Sequence, residues 1–261
     1  MALIKCDFYS EVLNLSTSMT VILPQQTHSQ IGMDNHIVAD KHPTLYLLHG
    51  FSDDHTIWTR RTSIERYVAP LGLAVVMPQV DHSFYSDMKH GHNYWTFLTE
   101  ELPHLARSLF PLSEAREDNF VAGLSMGGYG ALKWALNYPE RFAAAASLSG
   151  VTDIVAHQKR NRKEPESLFA QTFQNIFGDQ ELEGTTSDLL SLLKTKDKDT
   201  VQKPKLYQCC GTEDHLYKDN LLFTEACKQT GFELTTDFGP GEHEWGYWDE
   251  KIQDVLKWLP L

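Results

Sequence analysis

The sequence predicts an α/β fold in which a mostly parallel β-sheet is covered by helices on both faces. Three observations lead to this prediction: apolar runs alternate with helical patterns, the runs are short, and turn residues bound them. With 261 residues, 41% of them hydrophobic, the chain can bury a large core without disulfide bonds or metal ions. We therefore expect a single domain over residues 1–261.

The predicted elements follow one another from the first residues onward. Two opening strands are expected at residues 4–9 and 18–23, and an exposed polar loop follows at 24–42. Buried strands are expected at 44–48, 73–77, 119–122, 144–148 and 205–210, and a last strand at 232–237. Helices are expected at 62–69, 94–109, 126–138 and 221–230. A final helix carries Trp248, Ile252, Val255 and Leu259 on one face.

Residues 151–204 interrupt this alternation. The segment is rich in charged residues, has helical patches and lacks a clear strand pattern. We expect it to form a small helical insertion over the carboxyl edge of the sheet.

Composition excludes several classes of partner. A net charge of −12, from 23 Lys and Arg against 35 Asp and Glu, argues against nucleic acid, because phosphate binding needs a basic face. No run of apolar residues is long enough for a membrane span, and the first residues lack a secretory signal pattern. The 4 cysteines have neither metal-site nor disulfide-framework spacing, so we expect reduced thiols, no metal site and a cytoplasmic protein.

The strongest functional signal is the Gly-x-Ser-x-Gly pattern at Gly123, Ser125 and Gly127. It lies where a predicted strand turns directly into a predicted helix. In such a nucleophile elbow the serine has a strained backbone, and the two glycines let the strand and the helix pass close together. The pattern therefore predicts that Ser125 is a nucleophile.

A serine hydroxyl needs a base and an acid, which in this arrangement follow it in the order Ser, Asp or Glu, His. His243, in a glycine-rich loop before the last helix, is the only one of 12 histidines that follows the last predicted strand. Glu213 and Asp214 both follow the strand at 205–210, and only one of them can face His243. We favour Asp214, because a shorter side chain suits the reach from a turn.

The backbone amide of Met126, next to the nucleophile, and an amide of the loop after the third strand are expected to form an oxyanion hole. That loop contains Gly50 followed by Phe51, so Phe51 is the expected second donor. Aromatic residues cluster in the loops predicted to surround the site. Among them Trp245, two residues after His243, is the first candidate for the substrate pocket, with Trp58 and Tyr85 as further candidates.

These residues belong to motifs that resemble the esterase D-like α/β-hydrolases, and most of all the bacterial tributyrin esterases. The motifs are Leu47-Leu48-His49-Gly50, Trp58-Thr59-Arg60-Arg61-Thr62, Glu100-Glu101-Leu102-Pro103, Gly123-Leu124-Ser125-Met126-Gly127-Gly128, Gly211-Thr212-Glu213-Asp214-His215 and His243-Glu244-Trp245. The resemblance implies an α/β-hydrolase fold and a carboxylesterase for short-chain acyl esters that uses no cofactor. It also implies a homo-oligomer in many members and a catalytic triad of Ser125, Asp214 and His243.

Three alternatives remain open. S-formylglutathione hydrolases, which cleave a thioester, and acetyl or feruloyl esterases acting on plant polysaccharide share these motifs. The His49-Gly50 form of the loop favours a simple esterase, whereas only a panel of substrates separates an esterase from a thioesterase. A non-catalytic binding protein with this fold would usually lack a member of the triad, and this sequence has all three.

Overall fold

The computed structural model describes residues 1–33, 35–163, 165–198 and 202–261, and it contains an eight-stranded β-sheet. The strands are β1 (Ala2–Ser10), β2 (Leu15–Leu23), β3 (Thr44–Leu48), β4 (Ala74–Pro78), β5 (Asn119–Leu124), β6 (Ala144–Leu148), β7 (Lys205–Gly211) and β8 (Leu234–Gly239). Their order in the sheet is β1-β2-β4-β3-β5-β6-β7-β8. β2 is antiparallel to β1 and β4, and all the other neighbours are parallel. The predicted fold class is thereby confirmed.

Strand boundaries differ from the prediction by up to three residues, at the amino ends as well as at the carboxyl ends. β3 and β6 coincide with the predicted runs, whereas β5 continues two residues further, to Leu124. Gly123 and Leu124 pair with Ser147 and Leu148 of β6, and this pairing extends the strand up to Ser125. The apolar run alone could not show this extension, because a glycine interrupts it.

The helices are α1 (Ile57–Arg61), α2 (Ile64–Val68), α3 (Tyr94–Thr96), α4 (Leu102–Leu109), α5 (Met126–Asn137), α6 (Ile154–Asn161), α7 (Leu168–Phe177), α8 (Leu189–Lys196), α9 (Tyr217–Cys227) and α10 (Trp245–Trp258). A π-helical segment, Phe97–Glu101, joins α3 to α4. Pro103 has no N–H to donate to the carbonyl of Thr99 four residues earlier, and Arg141 donates to that carbonyl instead, at 2.6 Å. In the described ranges no helix has both the length and the apolar character needed to cross a lipid bilayer.

The central strands β3, β4, β5 and β6 are buried on both faces, which explains why they are predominantly apolar. Alternate residues of β3 enter different cores: Tyr46 and Leu48 face one of them, and Leu45 and Leu47 face the other. Helices α4, α5 and α9 contribute to the first core, and α1, α2 and α10 to the second. The sheet therefore separates two helical layers.

Residues 151–204 hold α6, α7 and α8, between β6 and β7. Each helix begins at a polar side chain that accepts a hydrogen bond from its first turn: Asp153 from Ala156 N, Ser167 from Ala170 N, and Asp188 from Ser191 N. The described part of this segment contains no strand, in agreement with the helical insertion expected from the sequence.

Candidate active site

Ser125 lies in the sharp turn between β5 and α5. Its backbone has φ 52° and ψ −116°, a strained conformation for a residue with a side chain. The turn is held from both sides, because Ser125 N donates to Leu148 O at 2.9 Å and Tyr129 N donates to Ser125 O at 3.1 Å. The serine therefore stands at the carboxyl edge of the sheet, between the end of a strand and the first turn of a helix.

The two glycines around Ser125 are required by close packing. A Cβ atom on Gly123 would lie 2.5 Å from the backbone of Gly127. A Cβ atom on Gly127 would collide with the carbonyl oxygen of Leu48 at the end of β3. This is the close passage of strand and helix for which the Gly-x-Ser-x-Gly pattern is needed.

Three side chains from separate loops meet at this edge in a hydrogen-bonded chain. The Oγ atom of Ser125 is 3.0 Å from Nε2 of His243, and Nδ1 of His243 is 2.8 Å from Oδ2 of Asp214. Asp214 follows β7 and His243 follows β8, so the parallel strands bring together residues that are far apart in sequence. The side chain of Asp214 is fully buried, whereas that of His243 is 24% exposed.

The environment of Asp214 favours its carboxylate form. Burial raises the pKa of Asp214, but the hydrogen bonds from His243 and from the backbone of Leu216 outweigh burial, so the pKa lies below its ordinary value. The Leu216 amide donates to Oδ1 at 2.8 Å, which leaves Oδ2 for His243. Asp214 is therefore ionised at neutral pH and oriented toward the imidazole.

Glu213, the alternative acid, has a different position. Its carboxylate accepts hydrogen bonds from Gly241 N at 2.7 Å and from the hydroxyl of Thr212 at 2.8 Å. It thus ties the loop after β7 to the loop that carries His243. Of the two neighbouring acids, Asp214 is the one that contacts His243.

Two aromatic rings lie on either side of His243, and the sequence did not identify either of them as part of the site. The His215 ring lies 4.7 Å from the His243 ring and the Trp248 ring lies 4.8 Å from it, measured between centroids. Trp248 is held by a hydrogen bond from its Nε1 to Ser149 Oγ at 3.2 Å. Its position five residues after His243, one turn into α10, was a signal that could have identified it.

The atoms of Asp214, His215 and His243 also form a group that a metal ion could contact. Each residue offers one ligand atom, and these atoms lie within 4.8 Å of one another. Asp214 and His243 already share a hydrogen bond at 2.8 Å, which a bound metal would have to break. The group is therefore better suited to proton transfer than to holding a resident metal.

A cavity of about 520 Å³ opens beside Ser125. Its apolar wall consists of Phe51, Phe84, Leu124, Val151, Phe169, Leu216, Trp245 and Trp248. Its polar wall includes Asp53, His157 and His215. A substrate can thus place an apolar group against aromatic rings while its reacting bond lies near the serine.

The loop after β3 brings Phe51 to this cavity. A Cβ atom on Gly50 would lie 2.6 Å from the side chain of Leu124, so the loop approaches β5 closely. The Phe51 ring stacks between the rings of His82 and Phe169, with centroid distances of 4.2 Å and 4.7 Å. No hydrogen bond within the described part of the chain uses the Phe51 amide. Met126 is the first residue of α5, where a helix leaves its amides unpaired.

The three aromatic pocket candidates have different positions. Trp245 lines the cavity. Trp58 and Tyr85 are not brought to the cavity wall, and both are buried, with 1% and 0% exposure. Trp58 donates to Leu48 O at 3.1 Å and contacts Trp245 edge-on, and Tyr85 donates to His49 O at 2.9 Å. Both rings therefore support the loop and the tryptophan that form the wall.

Three wall residues come from the insertion, namely Val151, His157 and Phe169, and none of them had a signal in the sequence. Phe169 of α7 is 39% exposed and stacks on Phe51. His157 of α6 lies 3.2 Å from Asp219, which also pairs with Arg160 at 3.2 Å. No motif marks these positions, because the fold alone brings the insertion over the serine.

Comparisons with known proteins agree with this geometry. The Esterase family, described as "Putative esterase", matches residues 10–259. An acetyl esterase of Caldicellulosiruptor saccharolyticus is 29% identical over 264 residues, which cover 99% of this chain and 98% of that protein. Among solved structures, FphF, a fluorophosphonate-binding serine hydrolase of Staphylococcus aureus, is 38% identical with a TM-score of 0.86, covering 99% of this chain and 98% of its own. The S-formylglutathione hydrolase of the same organism is 37% identical with a TM-score of 0.84 and the same coverage.

Proposed function

Because this chain belongs to the Esterase family of α/β-hydrolases and is a carboxylic ester hydrolase, we propose that it is a serine esterase for short-chain acyl esters. In this proposal Ser125 is the nucleophile, His243 the general base and Asp214 the residue that orients the imidazole. The observation that carries it is the hydrogen-bonded chain of these three residues, at 3.0 and 2.8 Å, on a strained turn beside a cavity.

The proposed reaction has two steps. His243 Nε2 takes the proton of Ser125 as Oγ attacks the ester carbonyl, and the resulting imidazolium returns the proton to the departing alcohol. Water then attacks the acyl-enzyme with the same base, which releases the acid and regenerates the serine. The amides of Phe51 and Met126 are proposed to stabilise the negative oxygen of each tetrahedral intermediate.

Preference for short acyl groups is proposed from the aromatic wall. Phe51, Phe84 and Phe169 contact one another, with ring centroids 4.7 to 6.3 Å apart, and this cluster bounds the cavity. In this proposal an acyl chain of two to four carbons lies against these rings, and a longer chain is expected to meet Phe169. The name of the acetyl esterase relative points the same way.

A second candidate activity is the hydrolysis of thioesters such as S-formylglutathione. The S-formylglutathione hydrolase, 37% identical over almost the whole chain, favours it, and so do His157 and His215 on the polar wall, which could contact a polar leaving group. Esterases for acetyl or feruloyl groups on polysaccharide form a third candidate. Comparing kcat/KM on p-nitrophenyl acetate, S-formylglutathione and acetylated xylan separates the three.

The proposal extends to the organisation of the chain. Residues 151–204 are proposed to cover the site within a single domain, because Phe169 of α7 stacks on Phe51. The 4 cysteines are free thiols, which supports a reducing, cytoplasmic environment. A homo-oligomer is tested by size-exclusion chromatography with light scattering.

The test of the nucleophile is the Ser125→Ala variant. We expect its kcat/KM on p-nitrophenyl butyrate to fall by about 10⁴-fold or more, because the attacking oxygen is lost. Ser108→Ala, on the exposed face of α4, is a matched control and should retain wild-type turnover. Activity of Ser125→Ala within about tenfold of the wild type would remove Ser125 as the nucleophile.

A further inference from the structure

Ser149, the residue that follows β6, is buried next to the proposed triad, with 0% exposure. Its backbone has φ 48°, a left-handed conformation that residues with a side chain rarely adopt. β6 is the neighbour of β7, which Asp214 follows, so Ser149 lies at the same edge of the sheet as the acid. A strained and buried polar residue at this edge indicates a role in the site.

Backbone hydrogen bonds hold Ser149 in this conformation. Its N–H donates to the carbonyl of Cys209, in β7, at 2.8 Å. The carbonyl of Leu148, the preceding residue, accepts from Ser125 N at 2.9 Å. Ser149 is therefore fixed relative both to β7 and to the turn that carries the nucleophile.

The hydroxyl of Ser149 lies between Trp248 and Asp214. Nε1–H of Trp248 donates to Oγ of Ser149 at 3.2 Å. Because an indole nitrogen can only donate, Oγ is the acceptor in this contact, and its own proton is available for a second hydrogen bond. Asp214 receives that proton: burial raises the pKa of Asp214, and the hydrogen bond from the Ser149 hydroxyl is among those that lower it.

The thiol of Cys210 also lies against Ser149 and Asp214. Burial raises the pKa of Cys210 to about 12, so this neighbour stays an uncharged thiol. A thiol is a weak donor, whereas a hydroxyl bound to a carboxylate makes a strong, charge-assisted hydrogen bond. Ser149 is therefore the stronger of these two donors to the acid.

These contacts show how Ser149 affects the site. Asp214 accepts from Leu216 N through Oδ1 and from His243 through Oδ2, both at 2.8 Å. A further donor restricts the rotation of the carboxylate, and the orientation of the carboxylate sets the orientation of the imidazole. Ser149 itself does not line the cavity beside Ser125, so it acts through Asp214 rather than on a substrate.

We propose that Ser149 is a positioning residue for the acid of the proposed triad. Its hydroxyl, oriented by the indole N–H of Trp248, keeps the carboxylate of Asp214 directed toward His243. This inference rests on the proposed function, because orienting Asp214 matters only if Asp214 orients the base.

The test compares Ser149→Ala with Ser147→Ala in steady-state hydrolysis of p-nitrophenyl butyrate. Ser147, in β6, is the matched control, because it is equally buried and its hydroxyl has no hydrogen-bond partner among the described residues. We expect Ser149→Ala to lower kcat by about tenfold or more, because a donor to a charged group is lost. KM should stay within about threefold, because no atom of the cavity wall is removed. Ser147→Ala should keep both constants near the wild-type values.

The decisive measurement repeats Ser149→Ala in the Asp214→Asn background. If Ser149 acts through Asp214, the added substitution should lower kcat there by less than about twofold. A merely structural contribution would lower kcat by the same factor in both backgrounds. Ser149→Gly, which suits a left-handed backbone, removes the same hydroxyl and replaces Ser149→Ala if that variant has a lowered melting temperature.

Three results would overturn the inference. They are a kcat within about twofold of the wild type in both Ser149→Ala and Ser149→Gly, an equal loss in the two backgrounds, or an equal loss in Ser147→Ala. In each of these cases a large loss of kcat in Asp214→Asn alone would still support the proposed triad. A wild-type kcat in Asp214→Asn would instead refute the triad, and the inference with it.

Discussion

The buried carboxylate of Asp214 provides the sharpest test of how the site works. Its Oδ2 accepts the Nδ1–H of His243 at 2.8 Å, so Nε2 is free to accept the proton of Ser125 at 3.0 Å. In Asp214→Asn the amide of Leu216, 2.8 Å from Oδ1, keeps the side-chain oxygen in its place. The new NH₂ group then faces Nδ1 of His243, where two donors cannot share one hydrogen bond.

The imidazole must therefore adopt the other tautomer, in which Nε2 carries the proton and cannot act as a base. The same change in the well-studied serine protease triad lowers kcat by about 10⁴. We expect a fall of that order here, which corresponds to about 5.5 kcal/mol of lost transition-state stabilisation. KM and the melting temperature should change little, because aspartate and asparagine have the same shape.

The assay is steady-state hydrolysis of p-nitrophenyl butyrate, with kcat and KM determined separately. Glu213→Gln is the matched control, since Glu213 is next in sequence and binds Gly241 N and Thr212 rather than His243. Its kcat should stay within about tenfold of the wild type, because the amide oxygen of glutamine can still accept from Gly241 N and the lost exposed charge acts on His243 only through a screened field. If Glu213→Gln were the more damaging change, or Asp214→Asn kept kcat within about tenfold, the assigned acid would be wrong.

The remaining predictions concern the pocket, a buried lysine and the absence of a lipase-type response. Acetyl to butyryl p-nitrophenyl esters should give higher kcat/KM than octanoyl esters. Phe169→Ala should raise the ratio of kcat/KM on the octanoyl ester to kcat/KM on the butyryl ester, whereas the control Leu168→Ala, at a residue that is 73% exposed, should not. A higher kcat/KM on dodecanoyl than on butyryl esters in the wild type would contradict the prediction. Burial lowers the pKa of Lys133 to about 7, with Asp87 opposing it in part. At pH values between that pKa and the ordinary lysine pKa of about 10.4, the unfolded chain binds more protons than the folded chain. The free energy of unfolding should therefore rise by about 2 kcal/mol from pH 7 to pH 9, and urea unfolding of Lys133→Met should not show this rise. The rate of tributyrin hydrolysis should not rise sharply when tributyrin exceeds its solubility limit, because residues 151–204 carry too many charges to form an apolar lid.

Much of the fold could be predicted because buried parallel strands and turn residues leave local signals. The segments at 44–48 and 144–148 coincide with β3 and β6. The helix expected at 62–69 corresponds to α2, the separate helix α1 precedes it without having been expected, and α9 begins four residues before its expected start. These differences lie at element ends, where tertiary contacts decide the boundary.

Some residues of the site could be predicted from local sequence patterns, whereas others reach the site only through the fold. Ser125 and His243 lie in glycine-rich turns with a recognisable order along the chain, and the structure brings them together. Phe169 and His157 come from the insertion, whose sequence carries no motif. The sequence predicts Trp58 and Tyr85 as pocket residues, but it cannot show that their rings are buried behind the cavity wall rather than lying on it.

The central claim is that Ser125 is the activated nucleophile, and covalent labelling tests it most directly. The wild type is treated with a fluorophosphonate, and the adduct is located by peptide mass spectrometry. We expect one adduct, on Ser125, and no labelling of His243→Ala, because the hydroxyl then lacks the base that lies 3.0 Å away. An adduct on another residue, or undiminished labelling of Ser125 in His243→Ala, would contradict the account.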